Sequence, residues 1–207
     1  MAITTLNLRA LNRSDTASSG QVITATSATA MDFQAAGGGK INQVIVGTKT
    51  DRFTSSTEDT WEDPGLSASI TPSATDSRIF ILIQLGTVGA GSANNPSIGM
   101  RIYRSGSGVT DGEIGVSNAS GYSGLSLRGA SYGEEWFGNS SSTYLSSPAG
   151  GLSWTDTTHN TTSALTYKLQ MVNACSGDYA LNGVQSTGTS APYPATVSTI
   201  TLWEILA

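Results

Sequence analysis

The run "SRIFILIQLG" at residues 77–86 sets the tightest limit on the fold. Side chains along an extended strand alternate between faces, so Ile79, Ile81, Ile83 and Leu85 line one side and Phe80 and Leu82 the other. A strand apolar on both faces needs cover on both sides, which demands stacked layers. Neither this run nor any other apolar stretch approaches the ~18 residues of a membrane helix.

The neighbouring segments speak the same language. "INQVIVGTKT", "DRFTSST", "GLSASIT", "SIGMRIYR", "SALTYKLQMV" and "TVSTITLWEIL" are short β-branched runs punctuated by Gly, Ser, Asn and Thr. In "LTYKLQM", Leu165, Tyr167, Leu169 and Met171 share one face and Thr166, Lys168 and Gln170 the other, so that strand has a wet side. The last strand sets Val197, Trp203 and Ile205 against Ile200, Leu202 and Leu206, which builds the chain's end into a sheet or an interface and predicts poor tolerance of C-terminal truncation. Between Ser105 and Ser163, Tyr122, Tyr132, Trp136, Phe137, Tyr144 and Trp154 punctuate Gly/Ser/Asn-rich sequence, a pattern of short strands joined by elaborate turns. The fold class predicted is all-β: an antiparallel, jelly-roll-like sandwich with an extended N-terminal arm.

At 207 residues the chain accommodates one domain, or one domain and an arm. Residues 1–39 are rich in Ala, Ser and Thr with isolated apolar residues and cannot bury much surface alone. Such a segment is suited to extend along a partner and place Val22, Ile23, Met31 and Phe33 in pockets there, with Gly37-Gly38-Gly39 as a flexible joint. The sandwich then occupies residues 40–207.

Charge excludes several partners. With a net charge of −5 and only 12% charged residues, against ~25% in ordinary soluble domains, the chain has no footprint for nucleic acid or an anionic bilayer. Membrane insertion is not expected. The single cysteine, Cys175, makes no intrachain disulfide and reads as a buried small hydrophobe. The N-terminus "MAITTLNLRALNRSD" lacks the apolar core of a signal peptide, which predicts synthesis in the cytoplasm without export by that route.

Catalytic readings fare poorly. His159 in "DTTHNTT" has Asp156 nearby, but serines are so abundant that a Ser-His-Asp set is no more than formal, and a surface loop residue is the reading taken. A glycosidase needs two acids across a groove. Glu58, Asp59, Glu62 and Asp63 instead read as a strand end before the Pro64-Gly65 turn, and Glu134-Glu135 as a loop tip. No Cys/His cluster or calcium-loop ladder is present, and "GSANNPSIG" and "RSGSGVTDG" lack the lysine and helix of a phosphate loop. Neither catalytic residues, metal nor cofactor are expected, and the chain is read as non-enzymatic. The loop "GEEWFGNSSSTY" is the best ligand-contact stretch, through Glu134, Glu135, Trp136, Phe137 and Tyr144; packing of these aromatics at a core or interface takes precedence over it.

"KINQVIVGTKTDRFTSSTEDTWEDPGLSASITPSATDSRIFILIQLG" resembles a module of structural proteins of tailed bacteriophages, especially phages of aquatic bacteria and cyanobacteria. The matching elements are Thr50-Asp51-Arg52-Phe53, Gly65 to Pro72, and Ser77 to Gly86. "TSALTYKLQMVN" and "VSTITLWEIL" are similar to the module's last two strands, and "SSGQVITATSATAMDFQAA" to the arm of phage fibre and appendage proteins, with Phe33 where a tryptophan is usual. Residues 105–160 match nothing in that module.

The resemblance implies a homotrimer of β-sandwich subunits on the virion surface, made in a host bacterial cytoplasm and anchored through the N-terminal arm. Trp203 and Ile205, on a strand apolar on both faces, are the trimer-interface residues this reading selects. A short arm without a long shaft favours a capsid decoration (cement) protein docked on the major capsid protein, many weak contacts adding by avidity. The alternative is a short tail fibre or receptor-binding protein, docked on a tail protein and touching host surface glycan.

Overall fold

The computed structural model describes residues 40–90, 98–116, 150–173, 177–183 and 195–207, together with the backbone of strands at 21–25, 31–35, 131–133 and 145–147. In chain order the strands are β1 (Gln21–Ala25), β2 (Met31–Ala35), β3 (Ile41–Lys49), β4 (Phe53–Ser55), β5 (Ser67–Ile70), β6 (Arg78–Gln84), β7 (Val88–Ala90) and β8 (Ile98–Gly106). They continue as β9 (Gly112–Ile114), β10 (Ser131–Gly133), β11 (Leu145–Ser147), β12 (Gly151–Asp156), β13 (Leu165–Asn173), β14 (Tyr179–Leu181) and β15 (Ser198–Ile205). The chain divides into two compact units, Met1–Lys40 and Ile41–Ala207.

In the first unit β1 and β2 pair antiparallel, with Ile23 opposite Phe33 and Ala25 opposite Met31. The segment expected to run as a simple extended arm thus contains a two-stranded ladder, which satisfies backbone groups that a single extended run would leave to solvent or a partner.

Among the described residues the second unit is all-β and its paired strands run antiparallel, with one isolated parallel bridge between Glu58 and Asn173. One sheet has the order β12-β6-β15-β3 and another β10-β8-β13-β5, with β9 added beside β8. A third has the order β11-β7-β14-β4. That order repeats the chain neighbours of the first sheet, so β3 leads into β4 and β6 into β7 across short bends, and β11 precedes β12 in sequence. Bonds from Leu85 N to Gly150 O (2.9 Å) and from Gly86 N to Ser198 Oγ (2.9 Å) close the bend.

Alternation explains the core. Ile79, Ile81 and Ile83 of β6 and Ile200 and Leu202 of β15 are fully buried, and so are Leu165, Tyr167, Leu169 and Met171 of β13 and Ile102 of β8. These inward sets form a single apolar cluster with Leu66, Ile70 and Leu152, the interior of a sandwich. Where β3 passes β5 the layers approach so closely that a Cβ on Gly47 would overlap the Ser67 carbonyl oxygen and press on Ile200. Only glycine fits there.

One expectation is corrected. Phe80 and Leu82, read as covered like their neighbours, are half-buried, and no second layer lies over them among the described residues. Apolar runs of this length are compatible with either arrangement, because a strand flanked on both edges already loses much exposure to neighbouring side chains.

Candidate functional site

Register assembles the outward positions of the β12-β6-β15-β3 sheet into rows. Trp203 lies opposite Val44 and Phe80, and Thr201 opposite Val46 and Leu82. Near the chain's end Ile205 pairs with Ile41, past a register shift between Glu204 and Ile205. The Trp203 and Phe80 rings pack with centroids 5.3 Å apart. Val46 is 59% exposed, Ile41 57% and Val44 48%, so the patch is open to solvent along the edge strand β3. Thr155, Thr201 and Thr199 interleave with it, and its central rows carry no charge.

The opposite outer face, on β8 and β13, is built differently. Lys168 reaches Asp63 at 2.8 Å, Arg101 Nε donates to Gln170 Oε1 at 2.8 Å, and Arg101 NH1 lies 3.6 Å from Glu113. The Arg101 guanidinium stacks over Trp61 at 4.2 Å, and the Lys168 ammonium stands 5.3 Å from the Tyr103 ring centroid. This is the wet side expected of "LTYKLQM". The sandwich thus has one ionic face and one whose middle rows are apolar, with exposed Arg78 of β6 in the Ile205 row at its end.

The residues weighed for catalysis are structural. His159 is 1% exposed rather than a surface loop residue, its Nε2 donating to the Ser77 carbonyl at 2.8 Å. Small polar neighbours concealed this, since burial there is set by the fold of the loop over β6. Asp156, 1% exposed, accepts from Arg104 NH1 and Tyr167 OH at 2.8 Å and from Thr158 N and Oγ1 at 2.9 Å. Burial pushes the Asp156 carboxyl up, but these bonds outweigh it and hold the group below the usual carboxylate range. Burial and the adjacent Asp156 charge push the Tyr167 phenol up. With its oxygens so committed, Asp156 does not orient His159, and the Ser-His-Asp reading is set aside.

The acidic turn is likewise occupied. Glu62 accepts from Tyr179 OH at 2.8 Å while its backbone pairs with Met171, and Asp63 Oδ1 caps Gly65 N at 2.9 Å. Glu204, fully buried, accepts from Asn42 Nδ2 and Gln43 Nε2 at 2.7 Å and from Ser73 N and Oγ at 2.6 and 2.9 Å. Burial opposes ionisation, yet those donors bring the carboxyl down to about 2. Among the described residues no group of three or more His, Cys, Asp or Glu is arranged to hold a metal ion.

Of the residues singled out in the sequence, Trp203 and Ile205 fall together on the apolar face. Val22, Ile23, Met31 and Phe33 lie on the paired strands β1 and β2. Glu134, Glu135, Trp136, Phe137 and Tyr144 lie outside the described residues, as does Cys175. Val44 and Val46 were not singled out. Their alternation in "INQVIVGTK" was the available signal, but it does not say which face meets solvent.

Fold and surface together define an antiparallel all-β sandwich protein. No family model matches the chain, and no curated protein matches its sequence. Among solved structures it is similar to that titled "Crystal structure of infectious bursal disease virus VP2 subviral particle", at 15% identity and a TM-score of 0.36, over 89% of this chain and 42% of that one. A second, "Structure of infectious bursal disease virus Gx strain", matches at 13% identity and a TM-score of 0.35, over 89% and 41%. The chain thus spans less than half the length of these two chains. Likeness at such TM-scores carries no weight for its role.

Proposed function

We propose that the chain is a non-enzymatic structural component of a bacteriophage particle, a homotrimeric decoration protein on the capsid surface, docked on the major capsid protein through residues 1–39. The observation that carries the reading is the apolar outer face of β12-β6-β15-β3, uncharged in its middle rows, with Val44 and Val46 about half exposed. A contiguous patch of this kind marks a surface made to be covered. An assembly subunit has such a face by necessity.

The bacteriophage module adds to this, because its elements are the strands of the sandwich: Thr50 to Phe53 leads into β4, Gly65 to Pro72 contains β5, and Ser77 to Gly86 contains β6. Cytoplasmic synthesis and release with the particle complete the picture.

Gold-labelled antibody against residues 105–160, applied to intact virions, tests the reading. Label over the head is the expected result, and deletion of residues 1–36 should then remove the protein from shells. Label confined to the tail would replace decoration by the short-fibre reading, with host glycan as ligand. Virions without label would overturn both.

A further inference from the structure

At one margin of the sandwich an aromatic ring is placed on the core side of its strand yet stands in water. In β12, Leu152, Trp154 and Asp156 share the side that lies opposite Ile83, Ile81 and Ile79 of β6, all three fully buried. Leu152 is 4% exposed and Asp156 1%, whereas Trp154 between them is 46% exposed. An inward position this open, between two closed ones, means that the layers part at Trp154.

The β8–β9 hairpin forms the other lip. Arg104 NH1 of β8 crosses to Asp156 Oδ2 at 2.8 Å, and Gly115, just after β9, lies against the indole. A Cβ on Gly115 would come within 2.7 Å of Trp154 Cδ2, and its φ of +66° is one that side chains rarely adopt. One face of the ring is thus seated on backbone, and the exposure belongs to its other face and edge. Gly112 of β9 stands opposite Arg104 in register, and a Cβ there would meet nothing within 4 Å. Arg104 is 8% exposed, and its buried Nε donates to no acceptor among the described residues. An orphaned buried N–H is rare in a native interior and marks a place where a further acceptor belongs.

The surroundings select a chemistry. The Arg104 charge is neutralised by Asp156, whose oxygens are taken up by Arg104, Tyr167 and Thr158, so no uncompensated charge is offered to an ion. The net charge of −5 disfavours an anion further. What remains is a flat apolar ring bordered by hydrogen-bonding groups. A pyranose has the complementary form, with an apolar C–H face to lie on an indole and a rim of hydroxyls that donate and accept.

We propose that this margin binds a neutral hexopyranose ring, stacked on the open face of Trp154 and entering by the space beside Gly112. The site goes beyond a structural role in a particle and does not depend on it. A ring of about a dozen heavy atoms on a single platform binds in the millimolar range.

The test is saturation-transfer NMR of the full chain, read on the protons of methyl glucoside, galactoside and mannoside up to about 50 mM. At least one should bind with a Kd of about 1–10 mM. Trp154→Ala should abolish transfer. Gly112→Leu, which fills the open space without a clash, should weaken binding at least about fivefold while the melting temperature holds. Should Gly112→Leu not fold, Trp154→Phe shrinks the platform and should still weaken binding. Tighter binding of a trisaccharide than of its methyl glycoside identifies a polysaccharide chain as the source, and equal binding a free or terminal ring; both uphold the site. Absence of transfer from all three glycosides overturns the proposal. So does transfer that survives Trp154→Ala and Gly112→Leu, or tighter binding of glucuronate than of the neutral rings.

Discussion

Glu204 ties three elements with one carboxylate: the end of β15, the bulged start of β3 and the turn at Ser73. Its folded carboxyl titrates at about 2, against an ordinary 4.5. A depressed carboxylate contributes its full stability above the unfolded value and loses it as pH falls through the folded one. The contribution is therefore complete above about pH 4.5 and disappears toward pH 2. Glu204→Gln should cost roughly 1–3 kcal/mol at neutral pH, the cost of disrupting charge-assisted hydrogen bonds at a buried group. Denaturant titrations in acid check it: the gap between wild type and variant should narrow as pH drops from 4.5 toward 2. A gap independent of pH would contradict the assignment. Asp156, depressed by Arg104, Tyr167 and Thr158, titrates in the same direction and leaves the variant some acid sensitivity of its own.

At the scale of elements, β15 is central to its sheet, bonded to β6 on one edge and β3 on the other. Its removal would expose Ile79, Ile81 and Ile83 and leave two facing strand edges unpaired. A chain ending before Ser198 should be insoluble or should lack a cooperative unfolding transition, and a soluble, cooperatively melting product would show that β15 is dispensable. The poor tolerance expected from "VSTITLWEIL" alone has here a specific cause. The alternation of β13, β6 and β15 was legible because each carries a full period-two pattern with bulky residues on the core side. The partners were not legible: β3 meets β15 across some 150 residues, and no local pattern encodes a pairing that far away.

For the whole molecule, the apolar cluster formed among the described residues lies in 41–207, and that unit has its own sheets and its own buried polar network. A fragment beginning at Ile41 should fold alone and melt in a single calorimetric transition, with equal calorimetric and van't Hoff enthalpies. Two transitions, or none, would show that the first unit is needed for the core. Near the glycine run the composition changes, and the division into Met1–Lys40 and Ile41–Ala207 falls in that stretch. The β1–β2 ladder was not legible, because "QVITA" and "MDFQA" are too short and too mixed to announce a pairing.

Sequence alone determined that this chain is all-β, that β13 is wet on one side, and that its terminal strand is built in, because side-chain alternation is a local property fixed by backbone geometry. Tertiary structure alone decided what became of the outlying polar residues. It buried His159 and Asp156, joined Glu204 to Asn42, Gln43 and Ser73, and left Val44 and Val46 facing water. Burial and partnership are properties of the packed layers, and two residues with the same local pattern diverge according to which sheet lies opposite them.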